Sequence, residues 1–253
     1  MLEAIKQFVE KLKSSNYKKI LFLTTSNRAG FHAKPDKEGH SKGEMSKSTY
    51  FAYKVKNLLE QQGKEVILLE IPHLKIYPCE GNVSGLKSKG CGVKEALLKD
   101  REKNPSGLHR CWASLNNKDD ELWKVSKELF EADAVVFFAS VRWGQANSEY
   151  QKLIERLTWI ENRWSQLKEE TIRLPDAGIV VLGQNYNVAN VLDNQLKVLQ
   201  FFKFPTPKEL ALGWQASSDS KDEDYDSYLK GIDDWMKDFG CNLYEKKEGE
   251  LNG

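Results

Sequence analysis

ADAVVFFASVRWGQANSEYQKLIERL, residues 132–157, reads as a strand, a polar and aromatic loop, and a helix in one continuous run. The apolar core AVVFFA is too short for a globular helix and too rich in β-branched and aromatic residues for a loop, so it predicts a buried strand. At its carboxyl end Ser140, Arg142, Trp143, Gly144, Gln145, Asn147 and Ser148 bring hydrogen-bonding groups, a cation and a large flat ring. A loop of this kind at the carboxyl edge of a parallel sheet is where open α/β proteins bind ligands.

Working outward, the same alternation recurs. KKILFLTT (18–25), EVILLEI (65–71) and AGIVVLG (177–183) are apolar runs of strand length, and residues 208–214 form a shorter fifth candidate. Helical spacing marks the start of the chain, 48–63 with Gly63 as a C-cap, 119–132 with Asp119 as an N-cap, the segment from Ser148 to about Trp164, 190–204 before Pro205, and 227–240. Strand alternating with helix predicts a parallel sheet covered on both faces, and right-handed crossovers limit the topology to a few doubly wound orders. We expect one domain over residues 1–244, with an insertion at 72–118 and a loose tail at 245–253. Loops as long as this insertion are usually functional or serve assembly.

The chain has 253 residues, and 38 Lys and Arg stand against 37 Asp and Glu, a formal charge of +1. Such a balance disfavours nucleic acid or an anionic membrane as the main partner. The first helix is amphipathic and lacks a signal peptide's apolar core, and no apolar run approaches the roughly 18 residues that span a membrane. The expected location is the cytoplasm. Cys79, Cys91, Cys111 and Cys241 are widely spaced, so we expect reduced thiols and no disulfide framework.

After the first predicted strand, Ser26, Arg28, Ser46, Ser48 and Thr49 are placed to wrap a phosphate with hydroxyls and helix-end amides. The alternative is ordinary helix capping and a solvated arginine. No GxGxxG, GxxxxGK[ST] or GxSxG occurs, Glu70 notwithstanding, and no Asp ends the first or third strand. These absences leave a phosphate-bearing ligand without an obvious protein nucleophile.

Residues 18–205 resemble the NADPH-dependent FMN reductase and iron-sulfur flavoprotein group of the flavodoxin-like superfamily. The resemblance rests on Asp119-Asp120, a helix, Ala132-Asp133 and its strand, Ser140-Val141-Arg142-Trp143-Gly144, Ser148, Lys152 and Glu155-Arg156, in that order. It implies a three-layer sandwich whose five-stranded parallel sheet runs 2-1-3-4-5, with helices on both faces. It further implies FMN as cofactor, NADPH or NADH as hydride donor, and a small acceptor such as a quinone, a nitro or azo compound, or free flavin. A homodimer or homotetramer is also implied.

By position, the resemblance assigns Ser26, Arg28, Ser46, Ser48 and Thr49 to the phosphate. Ser140, Val141, Arg142, Trp143 and Gly144 go to the ring, with Gly183, Gln184, Asn185 and Tyr186 after the fourth strand. Arg142 is the candidate for electrostatic tuning of the flavin, against pairing with a surface carboxylate. Trp143 flanks the ring or makes an oligomer contact. Val141 and Arg142 replace the family's usual proline and small residue, and the phosphate loop is longer than its compact pattern. A flavin carries hydride and electron chemistry itself, which fits the missing nucleophile.

Iron-sulfur members carry clustered cysteines in the insertion. Cys79, Cys91 and Cys111 lie there but are spread out, and a fourth ligand would come from Cys241, His73, His109 or a non-protein group, so we assign no metal. His32 and His40 are expected to be solvated. Leu153, Leu157, Ile160 and Trp164 form a core-facing stripe, while Trp159 suits either a subunit contact or packing within its own subunit. Two rival readings share the fold: an FMN electron carrier without nicotinamide turnover, and a cofactor-free interaction protein.

Overall fold

Consecutive residues of the third strand point to opposite sides of a sheet, and both sides are sealed. In a computed structural model, which describes residues 2–27, 46–82, 90–169, 172–184 and 187–216, β3 spans Ala134–Arg142. Val135, Phe137 and Ala139 enter one core, whereas Ala134, Val136 and Phe138 enter the other. The same alternation in β1 (Lys19–Thr24) sends Leu21 and Leu23 one way and Ile20 and Phe22 the other. A strand buried on both faces has no reason to alternate with polar residues, which is why these runs are continuously apolar.

The remaining parallel strands are β2 (Glu65–Glu70), β5 (Asp176–Gln184) and β6 (Ala211–Ala216), and β4 (Gln145–Ala146) folds back antiparallel on the end of β3. The order is β2-β1-β3-β5-β6 with every neighbour parallel, so the five long strands follow the expected 2-1-3-4-5 arrangement. The last strand starts at Ala211, later than expected, because Lys208–Leu210 form a 3-10 turn.

Helices α1 (Leu2–Ser14) and α2 (Lys47–Gln61) cover one face through Phe8, Val9, Leu12, Phe51, Val55 and Leu58. The other face is closed by α4 (Leu122–Glu131), α5 (Ser148–Ser165) and α6 (Val188–Phe201), with the short α3 (Trp112–Asn116) beside them. Gly63, at φ +77, follows the last residues of α2 and its N–H caps Glu60 O at 2.9 Å, the glycine stop expected there.

Asp119 is not the cap of α4. The helix starts at Leu122, and Asp119 lies outside it, paired with Lys75 and accepting the Tyr77 hydroxyl at 3.1 Å. Asp120 is drawn inward instead, so the chain cannot begin its helical turn until after it. Trp159 is fully buried, with His109 at 5.3 Å and Phe130 at 5.8 Å between ring centroids, and therefore packs within its own subunit. Leu153, Leu157 and Ile160 are buried as expected, and Trp164 is half-buried against Phe201. The predicted helix at 227–240, the tail, His32, His40 and Cys241 lie outside the described residues. No described helix is long and apolar enough to cross a membrane.

Candidate functional site

Strands β1 and β3 are neighbours, yet the chain leaves β1 toward β2 and leaves β3 toward β5. Their carboxyl ends therefore open a crevice between diverging connections, the usual ligand position in an open α/β sheet. Both polar loops singled out from the sequence start there.

On the β1 side, Ser46 is the N-cap of α2, its Oγ accepting the Thr49 N–H at 3.2 Å. The same oxygen lies 2.8 Å from Thr49 Oγ1 and 3.2 Å from Ser48 Oγ. Three hydroxyls thus meet at the positive end of a 15-residue helix whose first turn carries no acid. That donor set is suited to an anion, since a carboxylate in the first turn would have competed for the same field. Ser26 is buried just past β1, while Arg28 lies outside the described residues.

On the β3 side, Arg142 pairs with Gln145 across a two-residue hairpin turn. Trp143 at φ +49 and Gly144 at φ +76 both occupy left-handed backbone, the combination that matches strand twist in such turns. Glycine adopts it freely, but tryptophan pays for its Cβ, about 1–2 kcal/mol. The strained residue is also 99 % exposed, the most exposed large hydrophobic side chain among the described residues. Strain at a loop tip that gains no burial points to a role outside the fold. Arg142 is exposed and makes no ion pair among the described residues. Ser140 Oγ is buried with no hydrogen-bond partner among them, a polar group left over at the crevice.

Two asparagines that sequence reasoning did not assign hold the loops together. Asn147 Nδ2 donates to Thr25 O at 2.6 Å, and its Oδ1 accepts the Ser140 N–H at 3.0 Å and lies 3.0 Å from the Thr25 hydroxyl. Asn187 Nδ2 donates to Gly144 O at 2.8 Å, tying the hairpin to the start of α6. Each asparagine immediately precedes a helix, a placement that signals capping, yet neither side chain caps. Both are spent on neighbouring loops instead.

Of the residues assigned after the fourth strand, Gly183 has a packing reason to be glycine: a Cβ there would sit 2.6 Å from Val188 Cγ2 and 2.9 Å from Val141 Cγ2. Val141, on β3, therefore packs its side chain against Gly183 of the neighbouring β5. Gln184 ends β5, and Asn185 and Tyr186 lie outside the described residues. Glu70 accepts the Tyr53 hydroxyl at 2.8 Å.

A second polar centre ties the insertion to α5. Arg156, fully buried on α5, grips Asp120 with two bonds of 2.8 and 2.9 Å and also donates to Tyr77 O at 2.6 Å and Ser114 Oγ at 2.9 Å. Burial alone would raise the Asp120 pKa; the guanidinium outweighs it and holds the carboxyl below the usual range. Cys79, Cys91 and Cys111 are free thiols, and among the described residues no group of three His, Cys, Asp or Glu side chains is arranged to hold a metal ion.

His109, buried against Trp159, is pushed down to about 3 by desolvation first and then by Arg156, with Asp120 opposing. Its Nδ1 lies 2.7 Å from Ser126 Oγ and its Nε2 has no partner among the described residues. The unfolded chain binds this proton near pH 6.5 and the folded one does not, so the contribution is intact above that pH. It falls by about 1.4 kcal/mol per unit below it. Urea midpoints at pH 7 and pH 5 should show this loss, and His109→Gln should show a shallower one; an unchanged slope would contradict a neutral buried His109.

No protein-family model matches the sequence, and no curated protein does. Among solved structures, RosB with its bound intermediate 8-demethyl-8-formylriboflavin-5'-phosphate matches with a TM-score of 0.55 at 15% identity, over 87% of this chain and 76% of that one. This chain has the flavodoxin-like fold. An azoreductase from Bacillus anthracis str. Sterne matches with a TM-score of 0.48 at 14% identity, over 87% of this chain and 97% of that one. An NAD(P)H:quinone oxidoreductase from Methanothermobacter marburgensis matches at 0.46 and 10%, over 90% and 96%.

Proposed function

We propose that this protein is a flavoprotein oxidoreductase that binds FMN noncovalently at the β1/β3 crevice and passes hydride from NADPH or NADH through it to a small acceptor. A quinone, a nitro or azo compound, and free flavin are the acceptor classes this reading covers. The carrying observation is that an acid-free hydroxyl cluster at the start of the helix that follows β1 and a strained, exposed Trp-Gly turn at the end of the adjacent β3 belong to the two strands that flank the switch point of the sheet. A ligand with a phosphate at one end and a flat ring at the other suits that separation of chemistries, and flavodoxin-like sheets hold FMN at this switch point.

Bound FMN would supply the hydride and electron transfer itself. Ser26, Ser46, Ser48 and Thr49 would take the phosphate, and Arg28, Asn185 and Tyr186, outside the described residues, remain candidates from the sequence. Ser140 Oγ offers a donor that the fold does not use. The Trp143 indole gives a large face for stacking on the ring, at little further entropic cost because its backbone is already committed. Arg142, one residue away, supplies positive charge for the electron-rich edge of a reduced ring. Asn147 and Asn187 hold the three loops in register.

The visible spectrum of the purified protein tests this reading. Flavin bands are expected either as purified or after adding FMN and removing the excess. Their absence in both cases would leave the cofactor-free interaction protein. With FMN bound, anaerobic addition of NADPH or NADH should bleach the flavin within seconds. A flavin that stays oxidised under both would favour the electron carrier.

A further inference from the structure

We propose that Cys91 and Cys111 form a redox-active dithiol that closes to a disulfide when hydrogen peroxide reaches it. The pair stands twenty residues apart in sequence, in the insertion, and the flavin reading does not use it. In space both thiols lie in the same buried cluster, near enough to perturb one another. Their flanking residues are tied as well: Gly92 N–H donates to Arg110 O at 3.0 Å, and Trp112 Nε1 donates to Gly90 O at 3.0 Å. Cys91 is fixed further by its own backbone, whose N–H donates to Asn82 O and whose carbonyl accepts Asn162 Nδ2 at 3.3 Å. These bonds hold the two segments that carry the sulfurs alongside one another.

The two thiols are chemically unequal. The Cys111 sulfur accepts from a buried guanidinium, with Arg156 Nη2 at 3.6 Å, and its pKa is lowered by the neighbouring Cys91 thiol and by Arg156 against the opposing effect of burial. The Cys111 neighbour, with burial, pushes the Cys91 thiol up. A thiolate beside a thiol is the arrangement of an attacking and a resolving cysteine. Both residues are buried, at 3 % and 6 % exposure, which favours a water-sized oxidant over a bulky disulfide reagent.

The chemistry balances in two steps. The Cys111 thiolate attacks one peroxide oxygen, the O–O bond breaks, and the departing hydroxide takes up a proton, leaving a sulfenic acid. The Cys91 sulfur then attacks the Cys111 sulfur, the S–O bond breaks, and water leaves with the Cys91 proton. Two thiols and one peroxide give one disulfide and two waters, with both sulfurs oxidised and both peroxide oxygens reduced. Cys79, half-exposed and close enough to raise the Cys91 pKa electrostatically, is the competing partner.

Peptide mass mapping tests the proposal without any flavin, so it stands or falls apart from the function above. The full-length chain is reduced, desalted under inert gas, treated with hydrogen peroxide at neutral pH, quenched in acid, unfolded with N-ethylmaleimide and digested with trypsin. Each cysteine falls on its own tryptic peptide: residues 76–87, 90–94, 111–118 and 238–246. The expected product is 90–94 joined to 111–118, two hydrogens lighter than the sum, as the dominant cross-link and rising with peroxide. In Cys91→Ala that product is lost and dimedone captures Cys111 as its sulfenic acid. Cys91 and Cys111 that stay reduced, a dominant link through Cys79 or Cys241, or a Cys91→Ala protein whose Cys111 takes no dimedone would each overturn it.

Discussion

Replacing Arg156 by methionine is expected to lower the free energy of unfolding by about 3–5 kcal/mol, the usual cost of removing one partner of a buried ion pair. The two side chains are fully buried, and the guanidinium also satisfies Tyr77 O and Ser114 Oγ. Methionine fills comparable volume, so the loss reports mainly an orphaned Asp120 carboxylate and not a cavity. Two signs separate this cause from generic damage.

First, Asp120→Asn added to Arg156→Met should recover most of the loss, because the buried charge is then gone. Second, the pH dependence reverses. In the natural protein the depressed Asp120 contributes stability that is present above its unfolded value of about 3.9 and is lost only as pH falls through its lower folded value. In Arg156→Met the unpaired carboxyl is raised, so stability falls as pH rises through the window above about 3.9. The deficit relative to the natural protein should therefore narrow from pH 7 to pH 5. His109 adds to the narrowing, since Arg156 is one of the groups that lower it. Urea denaturation of the three proteins at both pH values makes the comparison, and a deficit that is constant with pH would refute the charge argument.

Asn147→Ala is the second large effect, and it joins stability to the site. The amide spans the ends of β1 and β3 with bonds to Thr25 O and from Ser140 N–H, in a pocket where Asn147 is 6 % exposed. Alanine leaves a buried carbonyl and a buried N–H without partners, at about 1–3 kcal/mol for each such group, so a loss of about 2–4 kcal/mol is expected. The FMN site is expected to weaken as well, because the phosphate loop and the Trp143 hairpin are no longer held in register. A fall in affinity of about tenfold would correspond to about 1.4 kcal/mol. Flavin titration and urea denaturation should move together in Asn147→Ala. Asn147→Asp keeps the acceptor for Ser140 and loses the donor to Thr25 O, so it should fall between. Unchanged FMN affinity in a destabilised Asn147→Ala protein would confine this residue to the fold.

The alternating strands and helices were legible because burial in a sheet sandwich is a local pattern. A strand covered on both faces must be apolar at every position, and AVVFFA, ILFL and IVVL announce themselves without reference to anything distant. The crevice was legible for the same reason, since hydroxyls and an aromatic turn at strand ends are local features. Asp119 shows where such reasoning fails. Beside a helix start it had the chemistry of a cap, but its neighbour Asp120 is claimed by Arg156, 36 residues away, and the helix begins later. Asn147 and Asn187 were not assigned from the sequence: they stand at N-cap positions, yet their side chains serve other loops, a use that no local pattern signals.

By itself, the sequence determined the layers, the parallel sheet and the edge that carries the candidate site, because each follows from side-chain periods and turn chemistry read within a single element. Only the tertiary structure decided that Asp120 and Arg156 share one buried charge centre and that Asn147 joins two loops. It also tied the backbone beside Cys91 to that beside Cys111. These pairings form between elements whose separation along the chain carries no periodic signal, and their partners are chosen by the low dielectric of the interior, where a polar group left unpaired costs more than the chain pays to reach a distant one.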